Sequence, residues 1–161
     1  MKNLILMMGI VFCCSCSNDD NPSSENLDAA VSIYLNDSEG KSLIDTPNFL
    51  SQNYRIYYLV NGISTEVNNS FADNPRGFFI NDETSPISMF LGLNFAASEE
   101  FPITYIKWND TDTDTLKAQF DRGTENNDNY VLCKKLWLND ELVWDVTTPD
   151  GITGREITIV K

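Results

Sequence analysis

Three cysteines stand within four positions, Cys13, Cys14 and Cys16, and a fourth, Cys133, stands alone far down the chain. Thiols this close raise three chemistries. A closed zinc shell takes four Cys or His ligands at characteristic spacings. This chain has no histidine, and Cys133 is the one further thiol it could offer. A disulfide between neighbours such as Cys13 and Cys14 is strained, because their Cβ vectors diverge. The third chemistry is acylation of a cysteine that cleavage turns into a new N-terminus. The residues ahead of the cluster favour it. Lys2 is followed by nine apolar residues, Leu4 to Phe12, about 13 Å long as a helix and too short for a hydrocarbon core of about 30 Å. A basic start, a short apolar run and small residues describe a secretory signal peptide. The "SNDDNPSSEN" that comes next could not continue a buried element.

An apolar run, a small residue, a cysteine and an acidic stretch together resemble the lipobox of bacterial type II signal peptides. The resemblance implies a signal peptide over residues 1–15, cleavage after Ser15 and lipid attachment at Cys16. Cys13 stands where leucine is usual, three places before that cysteine; Cys14, with Val11 at the corresponding place, is the alternative register. "CSNDD" is similar to the start of mature lipoproteins of Bacteroidetes-type bacteria, in which acids after the cysteine accompany export to the cell surface. "DSEGKSLID" (37–45) is similar, more loosely, to a feature of small lipoproteins of unknown function from the same lineage. The implied location is the outer membrane, lipid-anchored and surface-exposed, with the membrane as partner through the N-terminal lipid. One acyl chain binds marginally and several bind durably, at about 0.8 kcal/mol per buried CH₂. Loss of residues 1–15 removes Lys2 and no acid, so the net charge moves from −13 to −14.

Cys16 to Asp28 carries Asp19, Asp20, Glu25 and Asp28 among Ser, Asn and Pro22, and no Lys or Arg occurs from Ser17 through Gly40. Such composition cannot offset its ordering entropy by burial. We expect residues 16–28 to form a flexible acidic tether, reaching roughly 20 Å in the r.m.s. sense. Residues 29–161, 133 in all, suit a single domain with one core.

The elements of that domain alternate with a period of two. "AVSIYL" (30–35) puts Val31, Ile33 and Leu35 on one face; "YRIYYLV" (54–60) is apolar on both faces apart from Arg55. "ITYIKW" (103–108), "TLKAQF" (115–120), "KLWL" (135–138), "LVWDV" (142–146) and "EITIV" (156–160) follow. Turn signals separate them, among them Asn61-Gly62, "NDTDTD", Asn139-Asp140 and "TPDG". β-branched and aromatic residues fill the runs and no helical stripe persists. The pattern predicts an all-β domain, an antiparallel β-sandwich with an immunoglobulin-like or transthyretin-like Greek key.

Candidate chemistry within the domain is sparse. Asp110, Asp112, Asp114 and Asp121 fall at positions 1, 3, 5 and 12 of a hypothetical calcium loop, but Thr115 takes the place of its glycine and the flanks read as strands. An EF-hand is excluded; a solvated Asp/Thr turn is preferred over calcium at a hairpin tip, and no metal ligand is assigned. Asp114-Thr115-Leu116 resembles the Asp-Thr/Ser-apolar acceptor for O-linked glycans on secreted proteins of that lineage, which makes Thr115 a candidate glycosylation site. Among the tryptophans, Trp144 is in phase with Leu142 and Val146, and Trp108 with Ile106, so both should be core. Trp137 is in phase with Lys135 and Asn139 and is the candidate ligand contact.

No histidine can act as a base, no nucleotide-cofactor fingerprint occurs, and Cys133 reads as a small buried hydrophobe. No cofactor is expected. The acidic balance disfavours nucleic acid and anionic lipid as electrostatic partners. The expectation is a non-enzymatic binding, adhesion or assembly module with a glycan or protein ligand. The alternative is a glycan-binding accessory module of a polysaccharide-uptake system.

Overall fold

The computed structural model describes residues 25–70, 72–83, 85–126, 128–148 and 154–161. Cys13, Cys14, Cys16 and the first part of the expected tether lie outside the described residues.

Among the described residues eleven strands follow in order: β1 (Glu25–Asp28), β2 (Ala30–Asn36), β3 (Arg55–Val60), β4 (Ile63–Glu66), β5 (Phe78–Asn81), β6 (Ser88–Gly92), β7 (Ile103–Lys107), β8 (Thr113–Glu125), β9 (Asp128–Leu138), β10 (Glu141–Asp145) and β11 (Glu156–Val160). They form a seven-stranded sheet, β1-β9-β8-β7-β3-β4, with β10 also paired to β9, and a four-stranded sheet, β11-β2-β6-β5. One apolar cluster drawn from both sheets fills the space between them, so the domain is an all-β sandwich.

Alternation builds that core as expected. Val31, Ile33 and Leu35 of β2, Met89 and Leu91 of β6, and Ile157 and Ile159 of β11 point inward from the smaller sheet. Ile56, Ile106, Leu116, Ala118, Cys133 and Leu136 meet them from the larger one. Each fully buried aliphatic of this kind contributes roughly 1.5–3 kcal/mol. Trp108 lies at the centre with Tyr54 edge-on to its ring at 5.0 Å.

Two expectations are corrected. The sheets are mixed rather than purely antiparallel: β1 runs parallel to β9 and β11 parallel to β2. Parallel neighbours cannot be joined by a hairpin turn, and these pairs bring together segments from opposite ends of the chain. Residues 25–28, expected within the tether, are instead strand β1, in register from Glu25↔Asn129 to Asp28↔Leu132. The edge of β9 supplies backbone partners that composition could not reveal, so Glu25–Asp28 belongs to the folded unit.

The turn chemistry follows the sequence. Asn61-Gly62 joins β3 to β4 with φ of 51° and 78°, and Asn139-Asp140 joins β9 to β10 with φ of 49° and 70°. Both pairs have the positive φ of a type I′ turn, whose twist matches a hairpin. Two cations then tie β11 to the opposite sheet. Arg155, just ahead of β11, donates to both oxygens of Asp28 at 3.0 Å, to the Ala30 and Cys133 carbonyls, and stacks on Trp144 at 4.4 Å. At the far end Lys161 Nζ reaches Asp112 at 2.7 Å and Asp114 at 2.8 Å.

Candidate binding face

The outer face of the seven-stranded sheet carries its outward residues in rows set by strand register. One row crosses five strands or turns of pairing: Leu59 on β3, Ile103 on β7, Lys117 on β8, Trp137 on β9 and Leu142 on β10. A neighbouring row reads Glu66, Tyr57, Tyr105 and Thr115. A third places Arg55 beside Lys107. Leu142 is 48% exposed and Phe101, just ahead of β7, 38%. Aromatic and aliphatic side chains thus lie on a surface that water reaches.

Trp137 stands outward, as its phase requires, between the inward Leu136 and Leu138. It is half-buried rather than open, because Phe101 meets it edge-on at 5.8 Å and the Lys117 ammonium lies 5.5 Å from its ring centroid. Its polar handle distinguishes it from the other two tryptophans. Trp108 donates Nε1–H to Asp114 at 2.7 Å and Trp144 to the Gly154 carbonyl at 3.0 Å. Among the described residues, the Trp137 indole N–H has no such acceptor.

The cations of this face are all matched. Arg55 pairs with Glu66 at 3.4 Å, Lys107 with Asp110 at 3.2 Å, Lys117 with Asp140 at 2.9 Å and Lys135 with Asp145 at 3.0 Å. Lys134, at the bulge in β9, reaches Asp121 at 3.7 Å. Exposed pairs like these add little stability, about 0–1 kcal/mol each, but they leave the face without excess charge in a chain of net −13. At one end of the face a depression of about 350 Å³ lies among Asn53, Arg55, Tyr57, Lys107, Asn109 and Asp110.

Thr115 sits on the same face, half-buried, paired across the sheet with Tyr105. Its N–H donates to Asn139 Oδ1 and its carbonyl accepts the Asn139 N–H, both at 2.9 Å. The neighbouring acids do not converge. Asp110 is fully exposed beside Lys107, while Asp112 and Asp114 turn to Lys161. Asp114 is buried and also accepts from Trp108 and from Asn139 Nδ2, each at 2.7 Å. Burial alone would raise its pKa; the hydrogen bonds from Asn139, Lys161 and Trp108 outweigh that and hold the carboxyl below its usual range. The Asp/Thr turn expected at 110–114 is therefore anchored at its second half instead of being solvated throughout.

Other ionisable groups are equally engaged. The Thr147 backbone N–H and hydroxyl, with Lys135, hold Asp145 down at about 2. Burial pushes the Cys133 thiol up to about 11, against the pull of the Arg155 charge. Cys16 lies outside the described residues.

Comparison with protein-family models, curated proteins and solved structures finds no match. The site must be read from its own residues. Sequence reasoning singled out Trp137 but missed Tyr57, Tyr105 and Phe101. The signal for Tyr105 was present, since it is out of phase with Ile106. Phe101 precedes its strand and has no phase to read.

Proposed function

We propose that this chain is a lipoprotein of the outer membrane, held at the cell surface through an acylated Cys16, whose sandwich is a non-enzymatic binding module for adhesion or assembly. Its recognition surface is the outer face of the seven-stranded sheet. The observation that carries this reading is the row Leu59, Ile103, Lys117, Trp137 and Leu142, an aromatic and aliphatic band left half-open on a regular sheet. Apolar patches of this kind on a soluble domain mark interaction sites.

Two further points support it. Eight residues, Ser17 to Ser24, separate Cys16 from β1, a reach of at most about 29 Å. Glu25 pairs with Asn129 at the start of β9, and Trp137 lies eight residues further along that strand, about 27 Å away. With the anchor at the β1 end, the Trp137 row is free to face away from the membrane. The engaged state of Asp114, Asp145 and Cys133 also favours binding over catalysis, since none is poised as an acid, base or nucleophile.

The test has two arms. Cys16→Ala should abolish incorporation of labelled palmitate and release the protein from the membrane fraction; retention of both label and membrane association would refute the anchor. Cells displaying the Trp137→Ala protein at wild-type level should attach to their target surface less well than cells displaying the parent. Equal attachment would remove this face from the proposal.

A further inference from the structure

We infer that the ligand of this face is a neutral, extended glycan, laid diagonally across β9, β8, β7 and β3 from Trp137 to Tyr105 and Tyr57. This rests on the reading of the face as the recognition surface and adds the class of molecule it takes.

Three observations lead there. The first is the aromatic spacing. Trp137 and Tyr105 are separated by two strand steps and by a two-residue offset, because Trp137 is opposite Lys117 and Tyr105 is opposite Thr115. Their Cα atoms are then about 12 Å apart, a span suited to successive stacking positions along an oligosaccharide. Tyr57 lies directly beside Tyr105 and prolongs the line. Flat aromatic faces take the C–H faces of sugar rings, while their polar edges can meet hydroxyls; the Tyr57 hydroxyl is already held by Glu66 at 3.4 Å. The Trp137 N–H has no acceptor among the described residues, and is the one indole donor of the domain available to a ligand.

The second is charge. Arg55, Lys107, Lys117 and Lys135 each hold a carboxylate within 3.4 Å. An ion pair presents donors and acceptors side by side, which suits a hydroxyl that is both. A polyanion would have to displace those carboxylates and approach against a net charge of −13. The third is shape. The band is half-exposed along its length and continues into the depression beside Tyr57 and Lys107, so a chain can cross it without a closed pocket.

The full-length protein, in a non-glycosidic detergent, is run through gels containing mannan, xylan or a mixed-linkage glucan, with polygalacturonate as the charged comparison. At least one neutral polysaccharide should retard it, and raising the salt should not abolish the effect. Trp137→Ala and Tyr105→Ala should each weaken retardation by about tenfold, the scale of one aromatic stacking contact. Trp137→Phe should recover part of the loss, and Phe79→Ala on the opposite sheet should change nothing. Thermal melts of every variant keep folding separate from binding. Retardation by polygalacturonate alone, or retardation indifferent to Trp137, would overturn the inference. If no neutral polysaccharide binds while Trp137→Ala still impairs cell attachment, the glycan is wrong and the face survives; if attachment is also unaffected, both fail.

Discussion

The molecule holds the combination of tryptophan, lysine and aspartate twice, in two settings. Inside, Trp108 donates to Asp114, both are buried, and Asp114 is paired with Lys161 at the rim. Outside, Trp137 lies under Lys117, which is paired with Asp140, and its indole N–H is left open. The same side chains therefore serve different ends. Where water is excluded, each polar atom must find a partner, and the trio becomes a strut that joins β11 to the β7–β8 hairpin. Where water enters, the charge pair is weak and exchangeable, and the ring is a surface that a ligand can use.

Deletions should separate the two settings sharply. Trp108→Ala removes a fully buried ring and should cost about 3–5 kcal/mol, read from urea unfolding; Trp137→Ala, half-exposed, should stay near 1 kcal/mol. Equal losses would erase the distinction. The carboxylates come next. Asp114→Ala leaves the buried Trp108 N–H without its acceptor and Lys161 with Asp112 alone, and should cost about 2–3 kcal/mol. Asp140→Asn, which keeps a residue that tolerates the positive φ of the turn, should cost no more than about 1 kcal/mol. Double-mutant cycles on Lys161/Asp114 and Lys117/Asp140 would show whether the inner coupling is the larger.

Acid should sharpen the contrast further. The folded Asp114 carboxyl is held below its ordinary value, so its stabilisation is fully present above the unfolded carboxylate pKa of about 3.9. It is lost as the pH falls through the lower folded value. Asp114→Asn should therefore flatten part of the decline in stability below pH ~4, and an unchanged acid limb would contradict the assignment. The smallest effect is optical. Acrylamide should quench Trp137 and leave the buried Trp108 unquenched, so Trp137→Phe should remove most of the quenchable emission.

Legibility in the sequence followed burial. Strands with a buried face and a clean alternation, β2, β3, β7 and β11, were readable nearly to their ends, as were the Asn-Gly and Asn-Asp turns. β4 was not, because all four of its residues are exposed and it has no apolar phase. β5 and β6 escaped because their apolar runs, "FFI" and "MFL", put an exposed Phe79 and Phe90 among inward neighbours and so show no alternation. β8 and β9 were read too short: their far halves, with β1 alongside β9, form a ribbon of mixed polarity carried by backbone pairing from Asp121↔Leu132 to Glu125↔Asp128. β1 is the clearest case, four residues of a polar segment made into a strand by an edge more than a hundred residues away.

Composition and period by themselves determined the class of fold, the inward Trp108, the outward phase of Trp137 and the buried character of Cys133; Trp144 is inward as expected, but through a bulge that turns it away from the exposed Leu142 rather than through shared phase. These are local properties, since a side chain's facing in a strand depends only on its parity with its neighbours. Tertiary structure alone decided which strands adjoin, and with that the parallel seams at β1 and β11, the closure of Asp114 around Lys161, and the alignment of Trp137 with Tyr105 and Tyr57. Those depend on register between segments distant in the chain, where backbone hydrogen bonds are indifferent to side-chain identity and no local pattern records the partner.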